Sequence, residues 1–245
     1  MTIPKNQTNE LGLVIGFEVE NWQGAKRPSN SMLKGEHCTL EPLNIGNHSA
    51  DLFNAYQQDT EGRNWVYLPY GPFERIEDFR DGMKKYCFNG DPFFYAIVDN
   101  QTQKSVGVAS YLRITPAAGS IEVGHIHYSP ALQSTVAATE AMYLMMENTF
   151  NLGYRRYEWK CNALNEKSCN AAKRLGFTYE GTFRQMMVVR GQNRDTAWFS
   201  CLDREWPQIQ AAFRRWLSLD NFDSRGKQKE SLSLLTKRAL ASAQQ

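Results

Sequence analysis

At 245 residues, with 42% hydrophobic and 12% aromatic side chains, the chain can build a sizeable core, which excludes wholesale disorder. The formal net charge of +2 gives no general attraction to nucleic acid or to anionic lipid, so neither is an expected partner. Five scattered cysteines without a C-x-x-C pair argue against a disulfide framework and a zinc site, so we expect no metal.

The N-terminus carries no signal-peptide pattern, because its apolar run at residues 11–17 is short and interrupted by glycine. No apolar run approaches the roughly 20 residues that a membrane-spanning helix needs. We therefore expect a cytoplasmic protein without membrane contact.

The composition divides the chain into three parts. Residues 1–36 predict an extended arm packed on the domain, with the apolar residues 11–15 and Trp22 as anchors. Residues 37–203 hold alternating strand and helix patterns. Residues 204–245 predict an amphipathic helix and a basic tail, and we expect the tail from 224 onward to be frayed or to depend on a partner.

The first half of the domain predicts a short strand at 38–43 and a helix capped by Asn47. An aromatic loop follows at 65–72, and then a helix at 73–88. Two strands at 93–98 and 105–114 form a hairpin.

The second half predicts a strand at 121–128, a helix that opens at Gln133, and a strand at 155–161. Asn165 is expected to cap a further helix, and Gly176 fits the left-handed position after that helix ends. Two more strands lie at 183–190 and 196–202, joined by a turn at 191–194. Hairpins followed by a strand-helix-strand unit indicate an α/β (α+β) fold with a mixed, mainly antiparallel twisted sheet flanked by helices.

The turn after the 121–128 strand leads into a helix N-terminus with small and hydroxyl side chains, among them Ser134 and Thr135. Helix N-termini present unpaired N–H groups and a partial positive charge, which suits a phosphate. An ordinary capped helix is the alternative interpretation of the same residues.

The order of strand, phosphate-type turn, helix, strand, Asn165 helix and Leu175-Gly176-Phe177 resembles the acyl-CoA core of the GCN5-related N-acetyltransferases (GNAT), and within them the RimJ/RimL-like branch. The resemblance covers residues 38–203. It implies the GNAT acyl-CoA N-acyltransferase fold, with splayed central strands, and acetyl-CoA as co-substrate.

The resemblance also implies the residues that hold the cofactor. Main-chain groups of Ile126, His127 and Tyr128 would pair with the pantetheine, and Asn165 would meet the pantetheine-phosphate region. Arg174 or Lys173 would bind the 3′-phosphate. The pyrophosphate would lie on the turn formed by Gln133, Ser134, Thr135, Val136, Ala137, Ala138 and Thr139.

One turn residue departs from the family pattern, because Val136 stands where glycine is usual. Ser134 and Thr135 would then contribute hydroxyl donors. The remaining arginines of the C-terminal half are interpreted mainly as solvated strand ends, the alternative being that some of them neutralise the cofactor's phosphates: Arg155, Arg156, Arg184, Arg190 and Arg194.

Four residues are candidates for proton transfer. Glu122 occupies the strand position where several relatives keep a base, and His127, with His125 as a further alternative, has a suitable ordinary pKa. Ser168 would assist the leaving thiolate. Strict alternation would put Glu122 on one strand face and both histidines on the other. The alternatives without a catalytic role are that Glu122 forms a salt bridge, that the histidines are packing partners, and that Asn165 and Ser168 form a helix cap.

The resemblance places the acceptor groove beside the aromatic loop, so Trp65, Tyr67 and Tyr70 would bind the substrate, a packed aromatic patch being the alternative. The expected function is acetyl transfer from acetyl-CoA to a primary amine, either a protein N-terminus or a small amine, by direct attack in a ternary complex. A non-catalytic acyl-CoA-binding regulatory protein is the main alternative, because of Val136 and because residues 184–188 lack the carboxylate that some RimL-like enzymes carry there. Ribosome or nucleic-acid binding through the basic tail is a third. The oligomeric state stays open, a homodimer included.

Overall fold

The computed structural model describes residues 5–88 and 90–243. Its strands are β1 (Gln7–Thr8), β2 (Val14–Ile15), β3 (Leu33–Lys34), β4 (Cys38–Pro42), β5 (Phe93–Asp99), β6 (Ser105–Thr115), β7 (Ser120–Tyr128), β8 (Arg156–Asn162), β9 (Thr178–Val189) and β10 (Gln192–Leu202). Its α-helices are α1 (Ile45–Tyr56), α2 (Ile76–Cys87), α3 (Val136–Asn151), α4 (Glu166–Arg174), α5 (Trp206–Leu217) and α6 (Leu232–Ala243).

Within the described residues, the main sheet has eight strands in the order β3-β4-β5-β6-β7-β8-β10-β9. Neighbouring strands run antiparallel except β7 and β8, which are parallel and are joined through α3. A parallel pair needs a crossover connection, and the α3 segment supplies it. The mixed, mainly antiparallel sheet predicted from the sequence is confirmed.

Helices cover the two faces of the sheet unequally. The larger core joins α3, α4, α5 and α6 to one face, around residues such as Ile121, Met145 and Phe199. On the opposite face, α1 and α2 bury a smaller core against Phe94 and Val108 of β5 and β6. This second core includes no residue of β8, β9 or β10. The same face of those three strands therefore remains available for a site.

Two helix starts differ from the prediction. α1 begins at Ile45, and Asn44, not Asn47, is its N-cap; the Asn44 side chain accepts a hydrogen bond from the Asn47 N–H. α2 begins at Ile76, because Arg75 is still extended, with φ of −119° and ψ of 144°. Both helices therefore start where the backbone changes from extended to helical angles, which side-chain patterns locate poorly.

The predicted faces of β7 are wrong after Gly124. The pairs Ser110–Gly124 and Val108–His127 show three steps on β7 against two on β6, which is a β-bulge. His125 takes a left-handed φ of 48° within it. Because one extra residue reverses the alternation, both histidines share the α1/α2 face with Glu122. Ile126 and Tyr128 instead pack against the larger core.

The terminal segments also differ from expectation. The tail is not frayed, because α6 buries Leu232 and Ala239 in the larger core and its Thr236 hydroxyl donates to the carbonyl of Arg174. In the N-terminal arm, Trp22 is an anchor, since its Nε1 donates to the Ala117 carbonyl at 2.9 Å. The apolar residues between 11 and 15 are exposed and anchor nothing. Residues 1–4 and the last two residues lie outside the described residues.

Candidate active site

The site opens where two central strands separate. The parallel β7–β8 pairing ends at Val123 and Trp159, whereas β8 continues to pair with β10 as far as Asn162. The splayed central strands expected from the resemblance are thus present. The cleft between them has a volume of about 1350 Å³. Sites for a single small ligand are usually about 300–1,000 Å³, so this cleft has room for a long ligand and a second molecule.

The turn after β7 presents a helix N-terminus to the cleft. Ser134 takes a left-handed φ of 62°, and Thr135 caps α3 by accepting from the Ala138 N–H at 3.1 Å. The Thr135 hydroxyl donates to the Leu132 carbonyl at 2.7 Å, so it is not the free donor that the sequence suggested. The first helical N–H groups, those of Val136 and Ala137, have no intrahelical acceptor because of their position.

Val136 does not close this turn. It is the first residue of α3, and its side chain is partly buried against the larger core at the edge of the cleft. The positive φ of the turn falls on Ser134, two residues earlier, so Val136 needs no glycine-like conformation. The N–H groups of the turn are therefore compatible with a valine at this position.

A second helix start borders the other side of the cleft. Asn165 is the N-cap of α4, as predicted, and its Oδ1 accepts from the Ser168 N–H at 3.1 Å. The Ser168 hydroxyl accepts from Trp159 Nε1 at 3.0 Å. Gly176 follows the helix with φ of 90°, which confirms its predicted left-handed position.

Arg174 lies at the end of the cleft beside the C-terminal helices. Its Nη1 donates to the Thr139 hydroxyl at 3.1 Å, and its guanidinium lies 5.1 Å from the centre of the Trp216 ring. Burial lowers the pKa of Arg174, although a guanidinium stays protonated in a protein. Phe222 and Lys227 of the segment between α5 and α6 line the same region. This segment was assigned no role from the sequence.

The loop after α1 bridges the cleft. Gln133 Nε2 donates to Asn64 Oδ1 at 2.9 Å and to the Tyr128 carbonyl at 3.0 Å. On the opposite side, the Tyr67 hydroxyl donates to the Leu164 carbonyl at 3.2 Å. The loop thus connects the α3 turn to the segment before α4.

Comparison with known proteins identifies this architecture. The family model described as Acetyltransferase (GNAT) domain matches residues 37–178. A GCN5-related N-acetyltransferase from Brucella melitensis is 41% identical, with 89% of this chain and 100% of that chain covered and a TM-score of 0.87. The chain belongs to the GNAT acetyltransferases. Its enzyme class is therefore acyltransferase.

Further GNAT structures agree with this assignment. A protein placed in the GNAT family from Chromobacterium violaceum ATCC 12472 is 39% identical over 78% of this chain and 95% of its own, with a TM-score of 0.73. The Microcin C7 self-immunity acetyltransferase MccE, in complex with acetyl-CoA and AMP, is 21% identical over 69% and 93% of the two chains, with a TM-score of 0.58, and shares the fold. No curated protein matches this chain.

In this acetyltransferase, Glu122 is a buried carboxylate held by two cations. Arg113 Nη1 donates to both of its oxygens at 2.7 Å, and Lys160 Nζ lies 2.9 Å from Oε2. Burial raises the pKa of Glu122 above its ordinary value, and the two cations oppose that rise. Lys160 also pairs with Glu158 at 2.7 Å, so the carboxylate belongs to a network and not to an isolated pair.

Both histidines of β7 are neutral packing partners. The His127 ring stacks on Tyr56 with 3.8 Å between ring centres and meets the edge of Trp65, and burial lowers its pKa to about 3. His125 Nδ1 lies 3.2 Å from the Tyr70 hydroxyl. Burial, with Arg113 and Arg194 nearby, lowers the pKa of His125 to about 4. Such weak bases are poorly matched to accepting a proton at neutral pH.

The structure brings most of the predicted site residues to one cleft. Its lining includes Glu122, Tyr67, Ile126, His127, Tyr128, Gln133, Ser134, Thr135, Val136, Ala138, Thr139, Asn165, Ser168 and Arg174. Trp65 and Tyr70 do not line it, contrary to expectation; Trp65 is buried in the smaller core, and Tyr70 stacks on Tyr86. Ala137 packs in the larger core, with only its main chain at the turn.

Sequence reasoning missed three cations of the cleft: Arg113, Lys160 and Arg194. Lys160 had a usable signal, because Glu158 and Lys160 alternate along one strand and must share a face. Arg194 was assigned to a turn, but it lies inside β10.

No helix in residues 5–88 and 90–243 is both long enough and apolar enough to cross a membrane. Within the same ranges, no group of three or more His, Cys, Asp and Glu residues is arranged to hold a metal ion.

Proposed function

We propose that this enzyme transfers an acetyl group from acetyl-CoA to a primary amine by direct attack in a ternary complex. The observation that carries the proposal is the position of Glu122, a buried carboxylate whose pKa is raised, on the wall of the cleft between the splayed strands. Amine acylation requires removal of a proton from the nucleophile, and a carboxylate with a raised pKa suits that step. The acceptor is a protein N-terminus, as in RimJ/RimL-like enzymes, or a small amine.

The residues present fit acetyl-CoA. The N–H groups of Val136 and Ala137, at the positive end of α3, would hold the pyrophosphate with help from Ser134. The main chain of Ile126 to Tyr128 no longer pairs with β8 and would meet the pantetheine amides there, although the His127 carbonyl already accepts from the Tyr56 hydroxyl and the Tyr128 carbonyl from Gln133. Arg174 would bind the 3′-phosphate. When bound, acetyl-CoA supplies the acetyl group as an activated thioester.

The side chains around the cleft have different roles in proton transfer. Glu122 accepts the amine proton through a water molecule, because both its oxygens already contact Arg113 or Lys160. Ser168 is positioned by Trp159, whose N–H occupies one lone pair of the hydroxyl oxygen and leaves the hydroxyl proton as the group to donate. His127 is given no proton-transfer role because its pKa is about 3, and its main chain serves the cofactor.

The test compares amines with alcohols. Purified enzyme and acetyl-CoA are incubated with primary amines, N-terminal peptides included, and with the hydroxyl compounds of the same carbon skeletons, and thiol release is followed. We expect thiol release with amines and none above background with the alcohols. Thiol release with the alcohols alone, or with no amine although acetyl-CoA binds, would contradict the proposal.

A further inference from the structure

One wall of the cleft carries a row of polar groups without partners. Arg194, Thr196 and Trp198 alternate along β10, so they share one face, and all three line the cleft. Each has a buried polar atom with no hydrogen-bond partner among the described residues: Nε of Arg194, Oγ1 of Thr196 and Nε1 of Trp198. Buried polar groups are nearly always paired, so three unpaired ones in sequence on one strand indicate a place built for a ligand or ordered water.

Arg194 differs from Arg113 and Lys160, the other cations near Glu122, because no carboxylate of the described residues contacts it, although the charge of Glu122 acts on it from a distance. Arg113 and Lys160 both contact Glu122. Within the described residues, Arg194 makes no salt bridge and no side-chain hydrogen bond. Its guanidinium stays charged although burial lowers its pKa. A partly buried cation is costly unless it is paired, which favours an anionic partner at this position.

The surroundings of Arg194 are also positively charged. After burial, the next causes of the lowered pKa of His125 are the charges of Arg113 and Arg194. Around Glu122 the charged groups are the cations Arg113, Lys160 and Arg194 and the carboxylates Glu122 and Glu158, so the cations outnumber the carboxylates by three to two. An acceptor with several ammonium groups would be repelled there, whereas an amine with a negative group would be attracted.

We propose that the acceptor is a primary amine that carries a carboxylate, and that this carboxylate binds Arg194 with the Thr196 hydroxyl as a second donor. The inference rests on the proposed amine acetylation and names its substrate class. A single unpaired guanidinium matches one negative charge and can bind the two carboxylate oxygens side by side. Amino acids and peptides with a carboxylate near the amine fit this description, and polyamines do not.

The experiment uses pairs of amines that differ only in the carboxylate. Amino acids and their amides, and acidic peptides and their amidated forms, are compared by kcat/KM from thiol release at saturating acetyl-CoA. We expect the wild type to prefer the carboxylate by about tenfold or more, as for a charge-assisted contact. The Arg194→Gln enzyme should lose most of that preference, because kcat/KM for the acids falls towards that for the amides.

The matched control makes the same Arg→Gln substitution on the other strand of the β9–β10 hairpin. Arg184 lies on β9, is exposed and lies outside the cleft, so Arg184→Gln should keep the wild-type preference. Acetyl-CoA binding to Arg194→Gln, measured by calorimetry, should stay close to wild type; a large loss would place Arg194 in the cofactor site and overturn the inference.

The outcomes separate the two proposals. Equal kcat/KM for acids and amides, or an unchanged preference in Arg194→Gln, overturns the carboxylate site and leaves amine acetylation standing. A stronger preference for phosphoethanolamine than for β-alanine overturns the carboxylate in favour of a phosphate. No acetylation of any amine overturns both proposals.

Discussion

Lys160 Nζ lies 2.9 Å from Oε2 of Glu122, although the strands that carry these residues stop pairing one position beyond the carboxylate. The ion pair therefore crosses the mouth of the splay between β7 and β8. Lys160 also lies 3.7 Å from the centre of the Trp198 ring, so it links the carboxylate on β7 to the wall of β10. Lys160 thus opposes, after Arg113, the rise that burial causes in the pKa of the proposed base.

Replacement of Lys160 should change the pH dependence of the enzyme. Lys160 lowers the pKa of Glu122 against the effect of burial, so Lys160→Met should raise that pKa further. The base works only when it is deprotonated. The acidic limb of kcat/KM should therefore move to higher pH. Lys104→Met, which removes an exposed pair with Asp51, should leave the profile unchanged. An unshifted limb in Lys160→Met would remove Glu122 as the titrating base.

Glu122→Gln should separate catalysis from cofactor binding. The amide keeps the size of the side chain but cannot accept the amine proton, so we expect kcat to fall by about 10²–10⁴-fold. Acetyl-CoA affinity by calorimetry should change little, because Glu122 lies on the acceptor side. Glu180→Gln is the control, since Glu180 is an exposed carboxylate of β9 paired with Arg156. A variant with nearly wild-type kcat would show that Glu122 is structural.

Arg174 should distinguish CoA from its 3′-dephospho form. Its guanidinium lines the cleft, whereas the neighbouring Lys173 is exposed and lies outside it. We expect the wild type to bind CoA about tenfold more tightly than dephospho-CoA, as for a charge-assisted phosphate contact. Arg174→Met should abolish this difference and Lys173→Met should keep it. Calorimetry with CoA and dephospho-CoA measures this difference. If Lys173→Met abolished it and Arg174→Met kept it, the 3′-phosphate contact would belong to Lys173.

The C-terminal helix should contribute to folding, and two leucines of α6 test this. Leu232 is 1% exposed and belongs to the larger core, whereas Leu234 is 42% exposed. Leu232→Ala should lower the free energy of unfolding by about 2–5 kcal/mol because it leaves a cavity. Leu234→Ala should change it by about 0.5 kcal/mol or less. Urea denaturation of both variants measures the difference. Equal small effects would indicate that α6 does not pack as described.

Several features of this acetyltransferase were predictable because they depend on residues close together in the chain. Hydrophobic alternation located the central strands, Asn165 was recognisable as a cap, and Gly176 as the residue that ends α4. The order of these signals, with Leu175-Gly176-Phe177 at its end, was enough to identify the family that the comparisons confirm. Local propensity and capping chemistry act within a few residues, so the sequence carries them directly.

The tertiary structure decided what depends on distant partners. The bulge at His125 exists only in the register between β6 and β7, and it reverses the faces on which the histidines were expected. The partners of Glu122 come from β6 and β8, and Trp65 became a core residue because α1 and β7 supply rings to pack against. Arg194 was read as a turn residue, but β10 extends to place it on the cleft wall. The chain sequence determined which elements form, whereas packing between elements determined the charge and shape of the site.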